Sequence, residues 1–309
     1  MPNFRSLKKT CAAVLACSVI GAGMLLAGTG AVQAQEIEPN EFLPLPAGSN
    51  LALGYYIYGH DTEFTVHNGP TIKNNTGLEV NVGVARYIHF FDVAGHPAGV
   101  QVLQPFGSLS GAQVGGRSLG SAAGAQNTIL SAFIWPYVDY KSKTYVNVTG
   151  FLYPPDGTYD KDSAINVGDG RWRGDLLLGL DKAFGKHLST TAAFDVMFYG
   201  DNTNAFNPGL FPGNVTLSQD NTYRGQVWLN WNFNRAMQAA IGWEGFFGGV
   251  QRDDGFLNGQ ATEEQRIRAT FSSFVSPTTQ VLLELNHDFS SSGTFKQDFG
   301  ATLRLLYAF

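Results

Sequence analysis

The sequence has little cysteine, little charge and no long helical pattern. Only 2 of its 309 residues are Cys, and charged residues make up 15% of the chain. Both cysteines, Cys11 and Cys17, lie within the first 34 residues, so the rest of the chain has neither a disulfide framework nor thiol chemistry. Beyond residue 34, no apolar stripe with helical spacing exceeds about ten residues, which makes helices a minor component.

Glycine and phenylalanine are abundant instead. The chain contains 37 Gly and 23 Phe, and 44% of its residues are hydrophobic. This hydrophobic share is usual for a folded protein, so it is too high for a disordered chain, and it is too low for a bundle of membrane helices. The formal net charge of -5 disfavours a nucleic acid as a partner.

The first 34 residues have the order of a cleaved signal peptide. A basic stretch at residues 5–9 precedes an apolar run over residues 12–31, and Val32-Gln33-Ala34 supplies small residues for cleavage. We therefore predict that residues 1–34 direct export and are removed. The alternatives are a retained membrane anchor and a lipoprotein attached at Cys17, but the small-residue exit and the early position of that cysteine disfavour them.

The exported chain divides into a short extended segment and a long region with a period of two. Residues 35–50 are Pro-rich and show no alternation, whereas residues 51–309 contain twelve predicted strands. Most of these strands exceed the roughly five or six residues of soluble strands and approach the roughly 9 to 11 that cross an outer membrane. The predicted strands span 51–58, 77–90, 99–105, 128–137, 144–153, 171–182, 187–200, 222–233, 237–250, 266–275, 279–289 and 294–309.

The connections between these strands alternate in length. Long connections such as 201–221 follow the odd-numbered strands, and shorter ones such as 183–186 follow the even-numbered strands. The connection at 290–293 is the exception. Long loops on one side and tight turns on the other are typical of outer-membrane barrels. The predicted fold class is therefore all-β: a transmembrane antiparallel up-and-down β-barrel of about twelve strands, with short periplasmic turns and long extracellular loops.

The alternation also separates apolar from charged side chains. In the last strand most odd-numbered positions from Phe295 to Phe309 are apolar, whereas Asp298, Thr302 and Arg304 fall on the other face. Twelve strands enclose a lumen too wide to fill with apolar side chains, so we predict that polar residues line it and apolar residues contact lipid. A large soluble barrel is the alternative. The candidate pore-lining residues are Arg171, Arg173, Asp175, Asp195, Arg224, Glu244, Arg266, Arg268, Glu284, Asp298 and Arg304.

This charged lining has two interpretations. It forms salt bridges that only stiffen the wall, or it narrows the pore and selects solutes together with the loops and the 35–50 segment folded inside. Phe206 and Phe211 in the fourth long loop are candidates for an apolar mouth, with ordinary loop packing as the alternative.

No residue pattern predicts catalysis or a resident metal. His187 and Ser189 are residue types of a hydrolase, but they lie at a predicted periplasmic turn. The acidic residues between 160 and 169 are spaced loosely like a calcium loop, yet Ile165 occupies the glycine position and no Glu closes the loop. We therefore predict that the protein is not an enzyme and takes no cofactor and no metal.

Several motifs resemble a known family. The ending LRLLYAF is similar to the terminal strand signal read by the outer-membrane assembly machinery, with Leu303, Leu305, Tyr307 and Phe309 on the signal face. This ending, together with LPAGSNLAL, FLYPPDGTYD, NVGDGRW and YGDN earlier in the chain, resembles the outer-membrane transporter-like family named for the meta-pathway of phenol degradation. The resemblance implies a Gram-negative outer-membrane location and a passive channel for small hydrophobic compounds, aromatic ones among the candidates.

The predicted partners are the lipid bilayer, the outer-membrane assembly machinery and small hydrophobic solutes. Two alternative functions remain open at this point. One is a general hydrophilic porin, and the other is a non-transporting barrel that stabilises the envelope or binds a partner through its long loops.

Overall fold

The computed structural model describes residues 26–27 and 36–309. The predicted signal peptide lies outside the described residues except for Leu26–Ala27, a two-residue strand whose backbone pairs in parallel with Ile165–Asn166. Every regular element among the described residues is a β-strand. In the same part of the chain, no helix is long and apolar enough to cross a membrane.

Twelve long strands form a closed antiparallel wall. Each pairs with its neighbours in the sequence, and the last strand pairs with the first, so the wall has no free edge. The strands are β1 Asn50–Thr65, β2 Gly77–Val93, β3 His96–Val114, β4 Ile129–Asp139, β5 Thr144–Tyr153, β6 Arg173–Phe184, β7 Leu188–Tyr199, β8 Thr222–Asn232, β9 Met237–Gly248, β10 Glu263–Ser276, β11 Thr279–Ser292 and β12 Thr294–Ala308. The predicted fold class and the predicted count of twelve are confirmed.

The period of two in the sequence sets which side chains face outward. In β6, Leu176 and Leu178 are 56% and 55% exposed on the outer surface, whereas Asp175 is 4% exposed inside. Shifting the pairing by one residue would turn Arg173 toward lipid, at roughly 2 to 4 kcal/mol for a basic residue near the bilayer midplane. The register of the wall is therefore fixed by its inward charges.

Short turns lie on one side of the barrel and long loops on the other. The short turns span residues 94–95, 140–143, 185–187, 233–236 and 277–278. The exceptional connection after β11 is a tight turn at Gly293, which has a φ of 76° and lies against the backbone of Ala261. Only glycine fits such a position without strain, which explains why this long-side loop is short.

The third strand departs most from its predicted bounds. The sequence pattern predicted residues 99–105, but β3 runs for 19 residues and then turns back as the shorter strand Arg117–Ala125. Gly115 and Gly116 form this turn with φ values of 61° and 83°. The Gly- and Ser-rich stretch has no alternation of apolar and polar side chains, so its sequence carried no strand signal.

Two long loops build a small sheet of their own. Its strands are Asn202–Ala205, Val215–Gln219, Gln251–Asp253 and Phe256–Leu257. The sheet packs around a buried cluster formed by Ala205, Val215 and Leu217. A further short strand, Thr71–Ile72, pairs with the end of β1. The long-loop side is therefore ordered.

Candidate functional site

The inner face of the wall has an apolar side and a charged side. Strands β1 to β5 supply most of the apolar side, which includes buried Leu53, Ile57, Val82, Val84, Ile88, Phe90, Leu103, Ile129 and Trp135. In β2, the apolar residues at 78, 80, 82 and 84 face inward, and Glu79 and Asn81 between them face outward. The predicted uniformly polar lining is therefore wrong for this side of the lumen, because apolar side chains meet one another there.

Arg224 of β8 lies at the centre of the charged side. Its Nε atom is 2.9 Å from Oδ2 of Asp195, and its terminal nitrogens lie 3.8 Å from Asp175 and Glu244. All four side chains are 0% exposed. The guanidinium also lies over the ring of Phe246, 5.4 Å from its centroid. Charges buried this completely depend on one another for compensation, so this part of the lumen is packed.

Arg266 and Arg268 of β10 bind the N-terminal part of the chain. Glu36 lies 3.0 Å from Nη1 of Arg266 and 2.9 Å from Nη2 of Arg268. Across the wall, Arg266 pairs with Asp288 at 2.6 Å and Arg268 pairs with Glu284 at 2.9 Å. Two cations thus join one carboxylate from the N-terminal region to two carboxylates of β11.

Residues 36–49, which we call the lumenal segment, lie inside the barrel. The segment has no strand or helix of its own, and wall side chains bond to the backbone of Ile37, Asn40 and Phe42. The Phe42 amide donates to Oδ2 of Asp181 at 2.7 Å, and the indole of Trp135 donates to the Phe42 carbonyl at 2.8 Å. Because buried peptide groups need such partners, these bonds fix the position of the segment.

The start of the lumenal segment is held in the same way. The indole of Trp228 donates to the Ile37 carbonyl at 3.0 Å, and the Ile37 amide donates to Oε1 of Gln226 at 3.1 Å. The Phe42 ring lies against Gly179 of β6, where a Cβ atom would overlap the outer carbons of the ring. A glycine at this position therefore admits the aromatic side chain.

An apolar chamber of about 410 Å³ lies between the lumenal segment and the wall, toward the short-turn side. Its lining includes Phe90, Phe133 and Trp135, whose ring centroids are 5.3 to 6.1 Å apart. Arg86 and Arg304 also line it, as do Glu41, which pairs with Arg86, and Glu36, which pairs with Arg266 and Arg268. This volume is in the range of roughly 300 to 1,000 Å³ that is usual for small-molecule sites. The chamber can therefore hold an apolar molecule near two cationic groups.

A second cavity of about 640 Å³, which we call the basic vestibule, lies at the short-turn side. Lys143, Lys182, Lys186 and Arg235 line it, together with a single carboxylate, that of Asp181. The residues common to the chamber and the basic vestibule are Asn40, Leu43, Phe274 and Gln280. The two cavities therefore adjoin.

Nine of the predicted pore-lining residues lie on the inner face of the wall strands, and Arg171 is buried in the long connection before β6, where it donates to Gln219 of the loop sheet. The buried ones are Arg171, Arg173, Asp175, Asp195, Arg224, Glu244, Arg266, Arg268, Glu284 and Arg304. Asp298 instead lies on the outer face, where its side chain is 58% exposed and 3.8 Å from Nδ1 of His287. The pairing of β1 with β12 shifts beside Asp61. This irregularity interrupts the alternation, so Phe295, which was predicted to face lipid, is buried inside.

Sequence reasoning missed one lumenal cation and its partner. Nη2 of Arg86 lies 2.6 Å from Oε1 of Glu41 in the lumenal segment, and its Nε donates to Gln101 at 2.7 Å. The period of two could have identified Arg86, because it shares the inward face of β2 with Val84 and Ile88. Glu41 carried no such signal, since the lumenal segment has no period.

The predicted mouth residues are part of the loop sheet. Phe206 and Phe211 are half-buried against the cluster of Ala205, Val215 and Leu217. The Phe211 ring also lies 6.3 Å from the ring of Phe256. Both side chains therefore contribute to loop packing in this structure.

The side chains considered for a hydrolase are engaged in other contacts. Nδ1 of His187 lies 2.7 Å from the carbonyl oxygen of Asn232, and its ring stacks on Trp231. Ser189 donates from its hydroxyl to Oδ1 of Asn40 in the lumenal segment at 3.4 Å. These contacts join a turn and the segment to the wall.

Comparison with known proteins identifies one family. The sequence model of the family described as "Putative MetA-pathway of phenol degradation" matches residues 62–305. A comparison with curated proteins gives no match.

Solved structures share the architecture. An outer membrane channel from Pseudomonas putida F1 is 25% identical with a TM-score of 0.82, and the alignment covers 89% of this chain and 100% of that one. The β domain of the Bordetella autotransporter BrkA is 10% identical with a TM-score of 0.51, covering 85% and 99% of the two chains. The toluene transporter TbuX from Ralstonia pickettii is 12% identical with a TM-score of 0.48, covering 86% and 90%. The first of these likenesses assigns the barrel to outer-membrane channels.

Proposed function

Because the chain belongs to this phenol-degradation family and forms an outer-membrane channel, we propose that it passes small hydrophobic solutes, aromatic ones among them, by passive diffusion. The channel lies in the outer membrane of a Gram-negative cell, with its outward apolar residues in contact with lipid. The short turns face the periplasm and the long loops face the outside, as in other barrels of this class.

The apolar chamber is the observation that carries this proposal. It lies inside a membrane channel, is bordered by aromatic rings, and adjoins a cavity on the periplasmic side. Apolar solutes gain roughly 25 cal/mol for each Å² of surface removed from water. Such a chamber therefore favours an oily solute over a sugar, which would lose its water contacts without replacement.

The packed charged side is unfavourable for a general hydrophilic pore. Arg224, Asp195 and Glu244 are 0% exposed, whereas a wide aqueous channel would leave such groups hydrated. The apolar chamber and the basic vestibule that adjoins it favour a solute path over a barrel without a transport role. The charged residues instead hold the lumenal segment in place, and we propose that displacement of this segment sets the width of the solute path.

The ends of the chain have roles in export and assembly under this proposal. Residues 1–34 direct export, residues 35–50 supply the lumenal segment, and residues 51–309 form the barrel. Leu303, Leu305, Tyr307 and Phe309 are 50% to 60% exposed on the outer surface. The outer-membrane assembly machinery can therefore bind the outer face of β12, which supports the role of this strand as the assembly signal.

A transport assay with the full chain in liposomes tests the proposed function. We expect uptake of radiolabelled toluene above that of empty liposomes and no swelling in isotonic arabinose. Ile88→Trp should lower toluene uptake several-fold, because Ile88 is 5% exposed, lines the chamber and is replaced by a bulkier side chain.

Leu178→Trp is the matched control, because Leu178 is 55% exposed on the lipid-facing surface. It should transport toluene as the unsubstituted protein does. Swelling in arabinose would instead identify a general porin. Absence of both fluxes would identify a barrel without a transport role.

A further inference from the structure

Arg304 of β12 is a buried lumenal cation without a close counter-charge. It is 5% exposed, its Nε has no hydrogen-bond partner in the part of the chain that the structure describes, and Nη2 donates to Oε1 of Gln280 at 2.6 Å. Among residues 36–309, no carboxylate oxygen lies within 4.0 Å of its guanidinium. Arg86, Arg224 and Arg268, in contrast, each have a carboxylate at 2.6 to 2.9 Å. Arg304 is thus open to an anionic partner.

Glu38 in the lumenal segment interacts electrostatically with Arg304. Glu38 is 4% exposed, and its Oε2 has no hydrogen-bond partner among the described residues. Burial, together with the nearby Glu284, raises the pKa of Glu38 to about 8. At neutral pH this side chain is therefore largely uncharged, and it leaves the positive charge of Arg304 uncompensated.

Arg304 and its partner Gln280 both line the apolar chamber. Gln280 also lines the basic vestibule, where Lys143, Lys182 and Lys186 outnumber the single carboxylate. The apolar walls therefore continue into a region of positive potential. An anion that carries an oily body gains contacts from both cavities, whereas a neutral hydrocarbon gains them from the chamber alone.

We infer that the chamber binds small aromatic carboxylates, with the ring against Phe90, Phe133 and Trp135 and the carboxylate on Arg304. The inference rests on the proposed function and narrows its solute class from hydrophobic molecules to hydrophobic anions. A guanidinium suits this task, because its planar donors match both oxygens of a carboxylate. The basic vestibule then supplies the anion with further cationic contacts toward the periplasm.

Calorimetric titration of the full barrel in detergent tests this inference, with benzoate and its neutral isostere benzamide as probes at neutral pH. We expect benzoate to bind about tenfold more tightly, as for one charge-assisted hydrogen-bonded contact. Arg304→Gln should abolish this preference, and Arg304→Lys should restore part of it. Arg252→Gln, in the exposed pair with Asp220 on a long loop, is the matched control and should keep the preference.

A second variant tests the same point with Arg304 in place. Gln280→Glu puts a carboxylate at the position that accepts the Arg304 hydrogen bond, so it should also abolish the benzoate preference. Equal binding of the two probes by the unsubstituted protein, or a preference that survives in both Arg304→Gln and Gln280→Glu, overturns the inference. If toluene still crosses liposomes in that case, the proposed function stands alone. If no probe binds and toluene does not cross, both fail.

Discussion

At the scale of single residues, the lumen is stabilised by ion pairs that exclude water. Arg224 compensates Asp195 directly and lies 3.8 Å from Asp175 and from Glu244. A carboxylate inside a barrel cannot reach bulk water when its partner is removed. Asp195 is therefore the carboxylate most sensitive to the loss of Arg224, because Glu244 also lies 4.0 Å from Arg266 and from Arg268.

Arg224→Met should destabilise the folded barrel by about 3 to 5 kcal/mol, because it removes the guanidinium that pairs with buried Asp195 at 2.9 Å. The free energy of unfolding, measured by urea titration in detergent or in vesicles, checks this value. Arg252→Met is the matched control, since its pair with Asp220 is exposed and should leave stability nearly unchanged. Equal stability of the two variants would show that the Arg224 cluster is hydrated.

The alternation of apolar and polar residues predicted most of the charged residues in the lumen. It failed where an irregularity in strand pairing interrupts the alternation. Asp195 could be placed inward because it lies between Phe194 and Val196, and Arg224 because Tyr223 and Val227 occupy the opposite face of its strand. Asp298 was wrongly predicted to face the lumen. The irregular pairing beside Asp61 depends on the partner strand and cannot be recognised in the sequence of β12.

At the scale of elements, the lumenal segment depends on one glycine of the wall. The Phe42 ring occupies the space that a Cβ of residue 179 would need, while Asp181 and Trp135 hold the Phe42 backbone. The ring and a side chain at position 179 therefore exclude each other.

Gly179→Ala should displace Phe42 and loosen the lumenal segment. We expect a larger single-channel conductance in planar bilayers and faster toluene uptake by liposomes. Gly150→Ala is the matched control, because Gly150 lies in the adjacent strand and has open space where its Cβ would be. An unchanged conductance for Gly179→Ala would show that the segment does not limit the path.

The strands could be predicted from the sequence much better than the position of the lumenal segment inside the barrel. β6 and β8 show an unbroken alternation between lipid and lumen, and both were predicted to within two residues at each end. The lumenal segment has no such constraint, because its contacts come from side chains spread over several strands. Its position inside the barrel therefore depends on tertiary packing.

At the scale of the whole molecule, an apolar outer surface encloses a lumen with two chemically different sides. Aromatic and aliphatic side chains from every strand stand exposed to the bilayer. The wall satisfies its backbone groups across a closed ring of strands, as a membrane-spanning sheet requires. The apolar inner side was not predicted. Alternation shows that the two faces of a strand differ, but it does not show which face points into the lumen when the inward residues are apolar in some strands and charged in others.

The closed ring should make the protein resistant to detergent denaturation. We expect the purified barrel to migrate faster on a dodecyl sulfate gel when it is loaded without heating than after boiling, because only heating opens the hydrogen-bonded wall. The boiled portion of the same sample is the control. A leaderless chain that dissolved as a monomer without detergent would contradict the membrane barrel.

The seam of the barrel imposes an order on its folding. The amide and carbonyl of Asn50 bond to those of Phe309, the final residue, each at 3.0 Å. The ring can thus be completed only after β12 is in place, and until then the sheet is an open ribbon with two unsatisfied edges. The lumenal segment, which directly precedes Asn50, is surrounded by a closed wall only once this seam has formed.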